Sequence, residues 1–146
     1  AGDRLWVRLS GTPSAVAAAI TKLGGEMVSN PNEIWNSIRE QTNDFFKSSL
    51  PLWRLSVPSV ATPISLAGKQ LIEWGGAHRW LLSDMSHETI RDTVEKIGGH
   101  ATRFHNDRGD GAIFHPLAPA VATLHHRLKS TFDPRGILNP GRMDNF

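Results

Sequence analysis

Three Gly-Gly pairs, Gly24-Gly25, Gly75-Gly76 and Gly98-Gly99, constrain this chain more than any other feature. Each glycine costs a helix about 1 kcal/mol relative to alanine, so adjacent pairs end helices or make turns. The elements between them must be short. Two of the pairs also sit in matching surroundings. "ITKLGGEMV" (20–28) and "VEKIGGHAT" (94–102) both read helix end, lysine, aliphatic residue, Gly-Gly, strand. That echo points to two related half-units.

The hydrophobic period fills in the elements. "RLWVRLSG" (4–11) alternates, with Leu5, Val7 and Leu9 on one side and Trp6, Arg8 and Ser10 on the other, and predicts a half-buried strand. Thr12-Pro13 reads as N-cap and first helical position, followed by Val16, Ala19, Ile20 and Leu23 at helical spacing. "EMVS" (26–29) predicts a return strand. A helix over 31–46 follows, with Glu33 as the far arm of a capping box and Ile34, Ile38 and Phe45 as its apolar stripe. "LWRLSV" (52–57) alternates again, with Trp53, Leu55 and Val57 opposite Arg54 and Ser56. Residues 58–68 read as a loop, and 70–83 as a hairpin around Gly75-Gly76-Ala77. A helix from Ser86 turns Ile90, Val94 and Ile97 inward, and "HATRFH" (100–105) is a strand. A last helix, 118–130, carries Val121, Leu124 and Leu128, then Phe132, as an inward stripe.

This order predicts an α+β fold. It is a ferredoxin-like antiparallel sheet with helices on one face, plus a C-terminal helix and extended tail. Residues 1–106 would form the sheet domain and 107–146 a turn-rich segment, helix and tail. The uncovered sheet face draws interest because Trp6, Arg8, Arg54, Glu73, Arg79 and Arg103 are candidates for it. Antiparallel sheets often leave one face to solvent, and that is the plain reading. The alternative is a lid over an anionic or aromatic ligand, since arginine forks carboxylates and indoles offer flat contact area.

Composition closes off several chemistries. No cysteine is present, which excludes disulfides, thiol catalysis and cysteine-ligated metals and fits a cytosolic protein. The net charge is +2 with basic residues scattered, so nucleic-acid binding is not indicated. No apolar run is long enough to span a membrane. Seven histidines include no H-E-x-x-H pattern. His105, Asp110 and His115 bracket a glycine-rich turn, but such a set is more often surface polarity than a metal site, and no metal is expected. No G-x-S-x-G elbow is present, and "RGDG" (108–111) is not placed between a strand and a helix as a phosphate cradle would be.

The end of the chain, "LKSTFDPRGILNPGRM" (128–143), resembles the C-terminal signature of FAD-linked oxidases of the vanillyl-alcohol oxidase/p-cresol methylhydroxylase superfamily. The matching residues are Leu128, Lys129, Phe132, Asp133, Pro134, Gly136–Pro140, Gly141 and Arg142. "LWVRLSGTPSAV", "LWRLSVPS" and "LIEWGGAHRWL" extend the resemblance, within that superfamily, to the FAD-binding subunits of glycolate oxidases.

The resemblance implies a cap or substrate domain, with FAD bound mainly by an N-terminal domain outside this chain. FAD is then not expected on the chain alone, and the isolated chain is expected to be inactive. It implies a parent that oxidises a small 2-hydroxy acid by hydride transfer to FAD. Its partners would be the other subunits of a glycolate oxidase complex. It would be cytoplasmic, or peripheral at the inner membrane through that complex. The tail would return toward the flavin domain, so Asn139, Pro140, Gly141 and Arg142 are the cofactor-side candidates. Related 2-hydroxy-acid dehydrogenases carry H-x-G-D-G-N-x-H. Here "NDRGDGAIFHPL" puts Arg108 before the GDG, has Ala112 in place of Asn, and sets His115 one position late. That departure favours the alternative of a non-catalytic interaction or electron-relay module.

From side-chain chemistry, Arg54 and Arg79 are candidate carboxylate clamps, and Trp53 and Glu73 are further candidate substrate-binding residues. His78 and His115 are candidate proton acceptors. The segment Phe132–Leu138 is expected to dock on the cap, and Asn139 onward to be poorly anchored.

Overall fold

A computed structural model describes residues 4–105 and 112–141. They fall into two compact units, Ala1–Gln41 and Thr42–Phe146. The expected division at 106/107 lies outside the described residues.

The first unit holds two helices, α1 (Pro13–Leu23) and α2 (Pro31–Arg39). Thr12 caps α1 through its hydroxyl, which accepts the Ala15 N–H at 3.4 Å, and Gly24 ends it. Asn30 makes no side-chain cap to α2, so the expected capping box is not formed. Gln41, at φ 55°, turns the backbone out of the helix, and residues 40–46 do not continue it. Neither 4–11 nor 26–29 is a strand. Alternation alone does not make a strand, because a strand also needs a neighbour's edge to take its backbone hydrogen bonds. Leu5, Val7 and Met27 stay exposed, and no described residue of this unit is buried. Arg8 instead lies over the Trp35 ring, 6.0 Å from its centroid.

The second unit is built on a four-stranded antiparallel sheet of β1 (Leu52–Ser56), β2 (Lys69–Glu73), β3 (His78–Leu82) and β4 (His100–His105), in the order β2-β3-β1-β4. α3 (His87–Glu95) connects β3 to β4, and α4 (Pro119–Phe132) follows. The chain is thus an α+β fold with a C-terminal helix. Where a ferredoxin-like unit would carry a helix between its first two strands, this chain has the irregular segment 57–68.

One sheet face carries the main core. Trp53, Leu55, Leu81 and Ala101 project from the strands to meet Ile90 and Val94 of α3 and Ile64 and Leu66 of the 57–68 segment. Full burial of such aliphatic side chains stabilises by about 1.5–3 kcal/mol each. The covering helix holds because Ser86 caps it, its hydroxyl accepting the Thr89 N–H at 3.2 Å. Gly99 ends it with its N–H on Val94 O at 3.0 Å. A side chain at Gly99 would strike Ser56 O and the Val57 and Val94 methyls within 3.0 Å, so this second glycine of the pair also sets how closely α3 approaches β1.

α4 departs from expectation. It buries no residue, and Val121, Leu124, Leu128 and Phe132 are exposed. The segment after it does not dock through its apolar side chains either, since Ile137 and Leu138 are exposed. It folds back on α4 instead. The buried Asp133 carboxylate accepts the Ile137 and Leu138 N–H groups at 3.0 and 2.9 Å and the Lys129 ammonium at 2.5 Å. Lys129 also donates to Leu138 O at 2.5 Å. The Lys129 hydrogen bond, then the backbone N–H of Leu138, hold the Asp133 carboxyl below its ordinary pKa.

Candidate functional site

The second sheet face is set by the β-register. The turn between β2 and β3 places Glu73 opposite His78, and His78 lies opposite Ser56, which faces His100. One row across the sheet is therefore Glu73, His78, Ser56 and His100. The adjacent row is Leu71, Trp80, Arg54 and Thr102. Beyond it, Leu52 and Leu82 join Trp80, covered by Phe45, Phe46 and Leu50. The face is thus apolar and covered at one end and polar at the other, where Arg54 and His100 are exposed.

Aromatic rings tie the two ends together. Trp80 meets Phe46 and Phe104 edge-on at 5.6 and 5.0 Å. The His78 ring lies 4.8 Å from Trp80 and 5.4 Å from Trp74. Trp74 is 75% exposed and adopts φ 51°. A bulky residue in that left-handed region is rare and costs roughly 1–2 kcal/mol. The turn holds it there directly beside the imidazole.

The polar chemistry centres on Glu73 and His78. The Trp80 indole N–H donates to Glu73 Oε2 at 2.7 Å. The same oxygen lies 4.0 Å from His78 Nδ1, too long for a hydrogen bond but close for a charge. His78 is 9% exposed, and neither ring nitrogen has a hydrogen-bond partner. Burial pushes the imidazole below its ordinary pKa; Glu73 opposes this and the Arg54 charge adds to it. The ring is therefore held neutral, with acceptor capacity unused, beside a carboxylate that favours its charged form.

Three of the residues singled out from sequence converge here: Arg54, Glu73 and His78. Others lie elsewhere. Trp53 is a core residue of the opposite face. Arg79 is on that face too, and not on the open one as expected. It is 3% exposed, and its guanidinium donates to Gly76 O, Thr62 O and Ala61 O at 3.1, 3.1 and 2.8 Å. Arg103 likewise alternates onto the core face and is buried. His115 lies against the outer edge of β4, where its Nδ1 accepts the Ala101 N–H at 3.4 Å. Burial lowers its pKa, opposed by Glu95 and reinforced by Arg91 and His100. It does not join His78. Asn139, Pro140 and Gly141 follow the Asp133 latch, with Asn139 at φ 45°. Arg142 and Asp110 are outside the described residues. Among the described residues no group of three or more His, Asp or Glu side chains could hold a metal ion. No described helix is long and apolar enough to cross a membrane.

Sequence reading missed Trp80, Trp74, Phe104 and His100 as members of this face. The available signal was the length of the hairpin turn. Four residues between Glu73 and His78 pair those two, and that pairing fixes Leu71 opposite Trp80.

Comparison with known proteins accounts for the ending of the chain. Residues 115–143 match the family described as FAD linked oxidases, C-terminal domain. Over 141 residues the chain is 46% identical to glycolate oxidase subunit GlcE of Escherichia coli (strain K12). The chain belongs to the FAD-linked oxidases, as a GlcE-like C-terminal domain. The match covers 97% of this chain but 39% of that protein, so the chain spans about two fifths of its relative's length. No solved structure matches it.

Proposed function

We propose that this chain is the C-terminal domain of a flavin-dependent glycolate oxidase subunit, and that the polar half of its second sheet face lines the substrate site. The similarity to a glycolate oxidase subunit supplies the substrate class, and the FAD-linked oxidase signature supplies the cofactor. The observation that carries the reading is the buried His78, with both nitrogens unpartnered, beside an exposed Arg54.

The residues present fit one side of a flavin ring. Trp74 and Phe104 are exposed rings and Arg54 an exposed cation, while the phosphates of the dinucleotide would be held mainly by another domain. Bound FAD supplies the two-electron acceptor that takes hydride from the carbinol carbon. This chain's residues do the rest. Arg54 holds the carboxylate of glycolate, as a guanidinium fork suits a carboxylate. His78 accepts the hydroxyl proton as glyoxylate forms. The aromatic rings keep water from the imidazole. Asn139–Arg142 would lie on the cofactor side, and the other subunits of the complex would receive the electrons.

A second reading has an observation of its own. Val121, Leu124, Leu128 and Phe132 leave an apolar stripe of α4 uncovered, as a non-catalytic docking or electron-relay module would. The full-length subunit in its complex separates the two. On the first reading, His78→Gln lowers kcat for glycolate about 100-fold at little change in KM, and Arg54→Met raises KM about tenfold. If both constants stay at wild type, the sheet face is not at the substrate. Loss of subunit assembly on Leu128→Glu would then support the docking module.

A further inference from the structure

Glu73 is the one member of this face whose chemistry does not suit an anionic substrate. A carboxylate beside a bound carboxylate is repulsive and would weaken binding. Its geometry points inward instead. Oε2 already takes the Trp80 indole N–H at 2.7 Å, which fixes the carboxylate in place. The same atom faces His78 Nδ1 at 4.0 Å. The imidazole is in ring contact with both Trp74 and Trp80, at 5.4 and 4.8 Å. Neither ring nitrogen has a hydrogen-bond partner.

We infer that Glu73 is a positioning residue for His78: it turns the Nδ1–H toward its own carboxylate, so that Nε2 is the proton-accepting nitrogen. The inference rests on the reading of His78 as proton acceptor given above. In the step it serves, the substrate O–H bond breaks and an Nε2–H bond forms, while the carbinol hydride leaves to the flavin. The imidazole gains one positive charge. Two charged groups face it: Glu73 from the end of β2, which stabilises that charge, and Arg54 from β1, which opposes it. With Arg54 engaged by the substrate carboxylate, its opposition is screened and Glu73 prevails. A group that only accepts the Trp80 N–H would serve equally well as an amide, and this separates a positioning role from a structural one.

The test uses the full-length subunit in its assembled complex, with Glu73→Gln, Glu73→Asp and His78→Gln. Two readouts are taken: the pH profile of glycolate oxidation, and the 15N spectrum of labelled histidines, with His78→Gln assigning the His78 signal. Glu73→Gln keeps an acceptor for Trp80 and loses the charge. It should lower kcat about tenfold with KM within about twofold, and move the His78 titration to lower pH. Glu73→Asp should recover part of both. A tenfold rise in KM at unchanged kcat would overturn the inference, since Glu73 would then touch substrate, and so would an unmoved His78 titration. If His78→Gln leaves kcat intact while Glu73→Gln still moves the imidazole, the positioning stands and the catalytic reading of His78 falls.

Discussion

Arg79 offers the sharpest contrast between a clamp for substrate and a brace for the fold. Its side chain is buried, and its three donors reach carbonyls on two separate stretches, 61–62 and Gly76. It thereby pins the 57–68 segment, which supplies Ile64 and Leu66 to the core, to the turn that carries Trp74. Arg79→Met keeps most of the apolar stem and removes every donor. Three carbonyls in partly buried hydrogen bonds then lose a partner, at about 1 kcal/mol each by the low end of the range for an unsatisfied group, or about 3 kcal/mol in all. The low end applies because a carbonyl at a segment edge can recruit water. For a domain of this size that corresponds to a fall in Tm of roughly 10 °C or more. Urea unfolding of this chain, followed by tryptophan fluorescence and far-ultraviolet circular dichroism, measures it. In the full-length complex the glycolate KM of the folded fraction should not change. Wild-type stability combined with a tenfold higher KM would refute the reasoning and return Arg79 to the substrate.

Two further outcomes follow from the same physics. Gly68→Ala should destabilise by about 2–4 kcal/mol in the same urea assay, because backbone atoms cannot step aside; Gly68 has φ 132°, and an added Cβ would lie 2.2 Å from Leu82 O. Stability should also fall as pH drops below 6.5, the ordinary histidine pKa, because burial lowers the pKa of both His78 and His115 in the folded state. Below that pH the unfolded chain binds more protons than the folded one, so stability rises with pH through this window and is fully present above it. His78→Gln combined with His115→Gln should flatten the dependence, measured as the urea midpoint between pH about 5.5 and about 7.5, about one unit either side of the ordinary value.

The sheet was legible where short-range rules are enough. Alternation in 52–57 and a Gly-Gly turn at 75–76 specify β1, β2 and β3, and the Gly98-Gly99 stop delivers β4. The segment 4–11 alternates just as well and forms no strand, because pairing depends on an available edge and not on the pattern. The stripe on α4 failed for a related reason. Helical spacing identifies an apolar face but not what covers it, and Asp133 folds the tail back on α4 through Lys129 and two backbone N–H groups.

The open face was half legible, and Arg79 and His78 show why. They are neighbours in β3, a strand buried along its whole length, so exposure gives no alternation to read there. Charge would send the arginine outward and leave the histidine uncertain. The structure does the reverse on physical grounds. Three backbone carbonyls satisfy a guanidinium on the core face, so its burial is tolerated. No such partners meet His78, whose two buried nitrogens stay unbonded within a polar row that runs from the half-buried Glu73 to the exposed His100. A buried polar group that the fold satisfies belongs to the fold. One that the fold leaves unsatisfied is where a ligand is to be expected. By that criterion His78, both of whose nitrogens are unbonded, is a better candidate than Arg79, and it anchors the proposed site with Arg54 and Glu73 around it.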